Sequence, residues 1–315
     1  MRSTGPSRLR GAPPLIMLSP TARARLRRLL ILAFALPFLA FGAINLVDDE
    51  APPPLFTEDD LRPRPPDGDN GWLLALAADA RAKDGGEDRS PAFEATCLEA
   101  YRRPRFADPC ELDGEACPVI GVSNCHRVLT ERAARQIEVG ELEAPTMVLR
   151  HLLRADRDAL LGARSVLTDV LALDGAAKSL ELAVALRGAL GEPSGDLAAD
   201  LSAALRELPT RDDAPSPGEK GSYVATTRLL EAVAGGHHGW LHRFLLDRGE
   251  TLTRLAEGST RAVDNPLAST GWWLDNATGD VILSSLDGGR RATQLHEERY
   301  MAWLQAARLS WRSRS

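Results

Sequence analysis

One uncharged apolar run, Leu29 to Val47 (LLILAFALPFLAFGAINLV), divides the chain into two parts of opposite charge. Its 19 residues are close to the roughly 20 that a helix needs to cross a bilayer core. In front of it, residues 1–28 carry seven arginines and no acid; behind it comes Asp48-Asp49-Glu50. Arginine-rich flanks stay in the cytoplasm, so the arrangement predicts a basic cytoplasmic tail (1–28), one transmembrane helix (29–47) and an exported body. The expected partner of residues 29–47 is therefore the lipid bilayer. A cleaved signal peptide is the alternative, because Pro37 and the small residues Ala40 and Gly42 offer a peptidase site and Met17 a shorter start. The run continues past that site through Ile44, Leu46 and Val47, which favours an uncleaved anchor.

Charge narrows the partners. The whole chain stands at −6. Removing the +7 of residues 1–28 leaves −13 on residues 48–315. An acidic body argues against nucleic acid, which selects basic patches. Only three lysines occur, and the rest of the 38 basic residues are arginine. With abundant Ala, Leu and Gly, this usage suggests a GC-rich bacterial genome. The expected location is a bacterial inner membrane, with the body in the periplasm.

Residues 48–69 hold six prolines and eight acids and read as a linker or stalk. Beyond it the patterning predicts an all-α, bundle-like ectodomain. Asp69-Asn70 is a candidate N-cap for a helix over 72–83, followed by helices over 93–103, 124–139, 164–173 and 176–190, with Pro145 opening another. Ser123 or Asn124 would cap the helix at 124. Leu197, Leu201, Leu205 and Leu208 define the clearest amphipathic stripe. Three prolines and five charges in 209–221 mark a loop or linker between a helical region at 70–208 and a Trp-rich one at 222–315. A final helix is expected over 291–312, and Val281-Ile282-Leu283 is the one segment compatible with a strand.

The four cysteines, Cys97, Cys110, Cys117 and Cys125, lie within 29 residues. In an exported chain an even cluster reads as two disulfides. Zinc is the competitor, but structural zinc prefers a pair two to four residues apart, and none exists here. The nested pairing Cys97–Cys125 with Cys110–Cys117 would clamp two neighbouring helices and close the loop between them.

Catalytic motifs are missing. Gly121-Val122-Ser123 lacks the closing glycine of a nucleophile elbow, and no G-x-G-x-x-G or P-loop spacing occurs, so no cofactor is implied. His237, His238 and His242 form the one candidate metal cluster, with His238 and His242 four residues apart on a helical face. The glutamate of H-E-x-x-H is absent, because Gly239 follows His238. Tyr300, Leu304, Ala307 and Trp311 form a stripe that predicts a packed core, and Trp272-Trp273 is a candidate anchor for an envelope protein partner. These features together favour a non-enzymatic interaction or envelope-assembly module; a periplasmic enzyme working through the His237/His238/His242 cluster is the alternative.

Overall fold

A computed structural model describes residues 53–85, 90–112, 119–191, 195–211, 215–234, 248–258 and 277–312, together with Arg25, Arg28, Ala35 and Leu36. The apolar run lies outside this set apart from Ala35 and Leu36, and no helix among the described residues is long and apolar enough to cross a membrane. The chain divides into two units, Met1–Val47 and Asp48–Ser315.

Regular structure among the described residues is helical throughout: α1 (Gly71–Gly85), α2 (Pro91–Arg102), α3 (Ile120–Glu138), α4 (Glu143–Gly162), α5 (Val166–Leu190), α6 (Gly195–Glu207), α7 (Pro217–Ala234), α8 (Arg248–Gly258) and α9 (Ala277–Ser310). Local chemistry sets several of these ends. Asn70 caps α1 as its sequence position predicts, its side-chain oxygen accepting from Trp72 N at 3.2 Å. The same amide also accepts from Ala107 N and donates to Ala107 O, which ties the start of α1 to the chain leaving α2. Ser90 caps α2 ahead of Pro91, at the position where proline is pre-organised for a helix. Ser165 and Thr168 form the reciprocal cap of α5, and Gly191 at φ +62° ends it.

Helix α5 is the centre of the body. It is apolar nearly all round, as a helix surrounded by others must be, and buries Leu173, Ala176, Ala177, Leu180, Ala183 and Leu186. Helices α4, α3 and α9 pack on it, α9 most extensively. The predicted stripe of α9 is the contact: Tyr300, Leu304, Ala307 and Trp311 are all buried in the main core. Trp311 Nε1 donates to Ala183 O at 3.0 Å, and the Tyr300 hydroxyl donates to Pro209 O at 2.6 Å.

Four expectations about helix boundaries and strands need correction. The expected break between 173 and 176 does not occur, because α5 runs unbroken through Asp174-Gly175. Helix α3 starts at Ile120, so Ser123 and Asn124 are inside it rather than capping it; Asn124 instead donates to Asp79 of α1 at 2.7 Å. Val281-Ile282-Leu283 is helical, since α9 begins at Ala277, well before 291. The end of 209–221 is also helical. Ser216 Oγ accepts from Glu219 N while the Glu219 carboxylate accepts from Ser216 N, a capping box that starts α7 at Pro217. There α7 presses on the turn between α4 and α5. A Cβ on Gly221 would sit 2.1 Å from Arg164 O, so only glycine permits the approach.

Residues 53–69 are docked on the body rather than standing off as a stalk. Two short 3₁₀ turns, Glu58–Asp60 and Asp67–Asp69, occur within this segment. Leu61 is buried in a second, smaller core with Tyr223, Val224, Leu230 and Leu252. Phe56 meets Tyr223 edge-on at 5.5 Å, and Leu55 N donates to the Tyr223 hydroxyl. Glu58 pairs with both Arg164, at 3.0 Å, and Arg228. Those contacts hold the carboxyl of Glu58 below its usual range, Arg228 contributing most.

Candidate functional site

The disulfide that the cysteine spacing favours is present: Cys97 of α2 and Cys125 of α3 are bonded, with Cα atoms 5.1 Å apart and both side chains fully buried. Cys110 is also disulfide-bonded, and Cys117 lies outside the described residues. The bridge fixes the rotation of α3, which turns the next residue, His126, toward α5.

His126 is buried and its Nε2 lies 3.1 Å from Ser179 Oγ and 3.4 Å from Asp156 Oδ1. Gly175 makes room for the ring, because a Cβ there would stand 3.3 Å from His126 Cδ2. A serine, a histidine and an aspartate therefore meet, but not as a catalytic triad. A triad needs the nucleophile on one ring nitrogen and the orienting carboxylate on the other. Here both approach Nε2, and Ser179 is completely buried. The cleft beside them, lined by Trp72, Tyr101, His126 and Asp156, has a volume of about 20 Å³, room for one water, which needs at least about 10–15 Å³. Tyr101 is no base either. Burial pushes its phenol well above the usual range, and the charge of Asp156 adds to this. The cluster pins α3, α4 and α5 together and leaves no space for a substrate.

A second buried polar group lies where α5 begins. Asp169, wholly buried, forms an ion pair with Arg211, whose side chain is 8% exposed. Burial pushes the Asp169 carboxyl up despite Arg211. Burial likewise pushes Glu297 of α9 above its usual 4.5, with Arg211 opposing and the charges of Asp169 and Glu219 adding. A carboxyl raised in the fold binds its proton more tightly there than in the unfolded chain. Its contribution to stability is therefore fully present below pH 4.5 and is lost as pH rises through the folded value. Glu297→Gln is thus expected to stabilise the protein at pH 7 and to give no gain below pH 4.5; urea unfolding at both values checks the sign.

A larger opening lies elsewhere among the described residues. Helices α2, α3 and α4 enclose an open groove of about 590 Å³, floored by Leu98, Leu129, Leu142 and Val148. Met147 projects at its edge, 46% exposed. Arg102, Arg132 and His151 stand on the rim, with Glu141 and Glu143 across from them along the turn into α4.

Of the residues singled out in the sequence, none lines the groove, while Ser123 lines the cleft at His126. His237, His238, His242, Trp272 and Trp273 lie outside the described residues. Among the described residues no group of three His, Cys, Asp or Glu is placed to hold a metal. The groove had no sequence signal, since its floor comes from three helices and each leucine reads alone as core. The chain matches no protein-family model, no curated protein and no solved structure.

Proposed function

We propose that this chain is a membrane-tethered, periplasmic, non-enzymatic module that holds a partner protein in the groove between α2, α3 and α4. The observation that carries the reading is the contrast in size between the two concavities. The cleft at His126 takes about one water. The groove, at about 590 Å³, lies within the roughly 300–1,000 Å³ of ordinary binding sites and has their apolar floor, ringed by a charged rim. An exposed methionine is the kind of adaptable contact that such surfaces use. The tether at 29–47 and its arginine-rich flank support an exported body near the inner membrane.

The test is a pull-down of the full-length chain from detergent-solubilised membranes, compared with a Met147→Asp variant. The expected result is a defined partner that Met147→Asp no longer retains, because a charge in the apolar groove must be desolvated on binding. A partner retained equally by both forms would overturn the groove as the binding surface; loss on changing Trp272 and Trp273 to Ala would move it to that segment. Elemental analysis of the same preparation addresses the enzyme alternative. A stoichiometric zinc that disappears with His238→Ala would replace this reading.

A further inference from the structure

Glu143, Met147 and His151 recur every four residues along α4, so they share one face, and all three line the groove. The stripe reads acid, apolar, base over about 12 Å, eight residues at the helical rise. Arg102, at the end of α2, reinforces the basic end. Desolvation first, then the charges of Arg154, Arg102 and Arg150, hold the His151 imidazole below its usual value. The other charged groups of the rim are already engaged: Arg132 pairs with Glu94 at 2.7 Å, and Glu141 accepts from Gln136. Arg102, His151 and Glu143 have neither a hydrogen bond nor an ion pair among the described residues. The open charges, Glu143 and Arg102, thus stand at opposite ends of an apolar strip, with the His151 imidazole beside Arg102.

We infer that the groove receives an amphipathic helix of a partner protein, one whose central apolar residue is flanked a turn away by a basic residue on one side and an acidic residue on the other. The inference rests on the binding role proposed above and names the chemistry of the partner. Charge complementarity selects this occupant. The basic side chain meets Glu143, the acidic one meets Arg102, with the neutral His151 imidazole beside it as a hydrogen-bond donor, and the apolar one covers Met147 and enters the leucine floor. Two turns of helix cover almost the same length as the stripe, about 11 Å. A fatty acid would satisfy the basic end alone and lay its tail against Glu143. A second copy of the chain would set one concave face against another, which leaves a void where packing is required.

The probes are four synthetic fifteen-residue helical peptides, read by fluorescence anisotropy against the purified full-length protein. Their i, i+4 and i+8 positions carry Lys-Leu-Glu, Lys-Leu-Lys, Glu-Leu-Glu or Lys-Ser-Glu. The Lys-Leu-Glu peptide is expected to bind best. The two like-charge peptides should be about fivefold weaker, the scale of one exposed ion pair. The serine peptide should be about tenfold weaker or worse, from lost apolar burial. With Arg102→Glu in the protein, Lys-Leu-Lys should become the strongest ligand, an inversion that a general loss of folding cannot produce. Equal affinities, or an order indifferent to Arg102→Glu, would refute the charge pattern. So would saturable binding of decanoate without peptide binding, or a sedimenting dimer that Met147→Asp disperses. If the peptides fail while Met147→Asp still releases the partner in the pull-down, the groove remains the binding surface and the helix pattern alone falls.

Discussion

Replacing Arg211 by alanine is expected to lower the unfolding free energy by about 3–5 kcal/mol, the range for stranding one charge of a buried pair. Asp169 has no exposed surface, and Arg211 is the charged group that faces it directly. Asp169 Oδ2 and Arg211 Nε make no hydrogen bond among the described residues, so the pair relies on few contacts. Without the guanidinium, the desolvated Asp169 loses its ionic partner, with the carboxyl groups of Glu219 and Glu297 nearby, and must either take up a proton or stand as an uncompensated buried charge. For a domain of this size the loss corresponds to a melting temperature lowered by about 6–20 °C. The double variant Asp169→Leu/Arg211→Met separates charge from packing. It should be markedly more stable than Arg211→Ala, because an apolar pair of similar volume needs no ionic partner. A cost below about 1 kcal/mol for Arg211→Ala would mean that solvent reaches Asp169.

The second large effect belongs to Cys97–Cys125. Changing both to alanine should cost about 3–4 kcal/mol in the loop-closure picture, for a bridge that spans 28 residues. The closed loop contains the connection between α2 and α3, whose described part enters the cores through Phe106, Leu112 and Val119. Urea unfolding of the native protein with and without reductant provides the check. The oxidised form should exceed the double variant by that margin, and the reduced form, which also loses the bridge at Cys110, should fall to the double variant or below it. Equal stability in all three would show that packing by α1 and α4 already confines the two helices.

What could be read from the sequence follows from locality. The Cys97–Cys125 pairing was accessible because helical periodicity on either side left the two cysteines on neighbouring elements. The stripe from Tyr300 to Trp311 was accessible because one helix carries all of it. Gly175 misled, since a glycine beside an aspartate reads as a break; it is kept in a helix because His126, from another helix, occupies the space of its missing side chain. Residues 53–69 misled for the same reason. Their prolines and acids suit a solvated strand of chain, yet Glu58 finds Arg164 and Arg228 more than a hundred residues away. The His126–Asp156–Ser179 cluster and the groove are assembled from three helices each, so no window of sequence contains them.

The seating of Trp311 on Ala183 has a consequence for how the molecule is made. Their hydrogen bond joins residues 128 apart, and the face of α5 that it covers is apolar. A ribosome adding about 5–20 residues per second needs about 6–25 s to travel from one to the other. Throughout that interval the nascent chain presents the α5 face uncovered, and exposed apolar surface of this kind is what makes partly folded chains prone to aggregate. Residues 300–311 therefore act as a clock: until they emerge, the core around α5 cannot close.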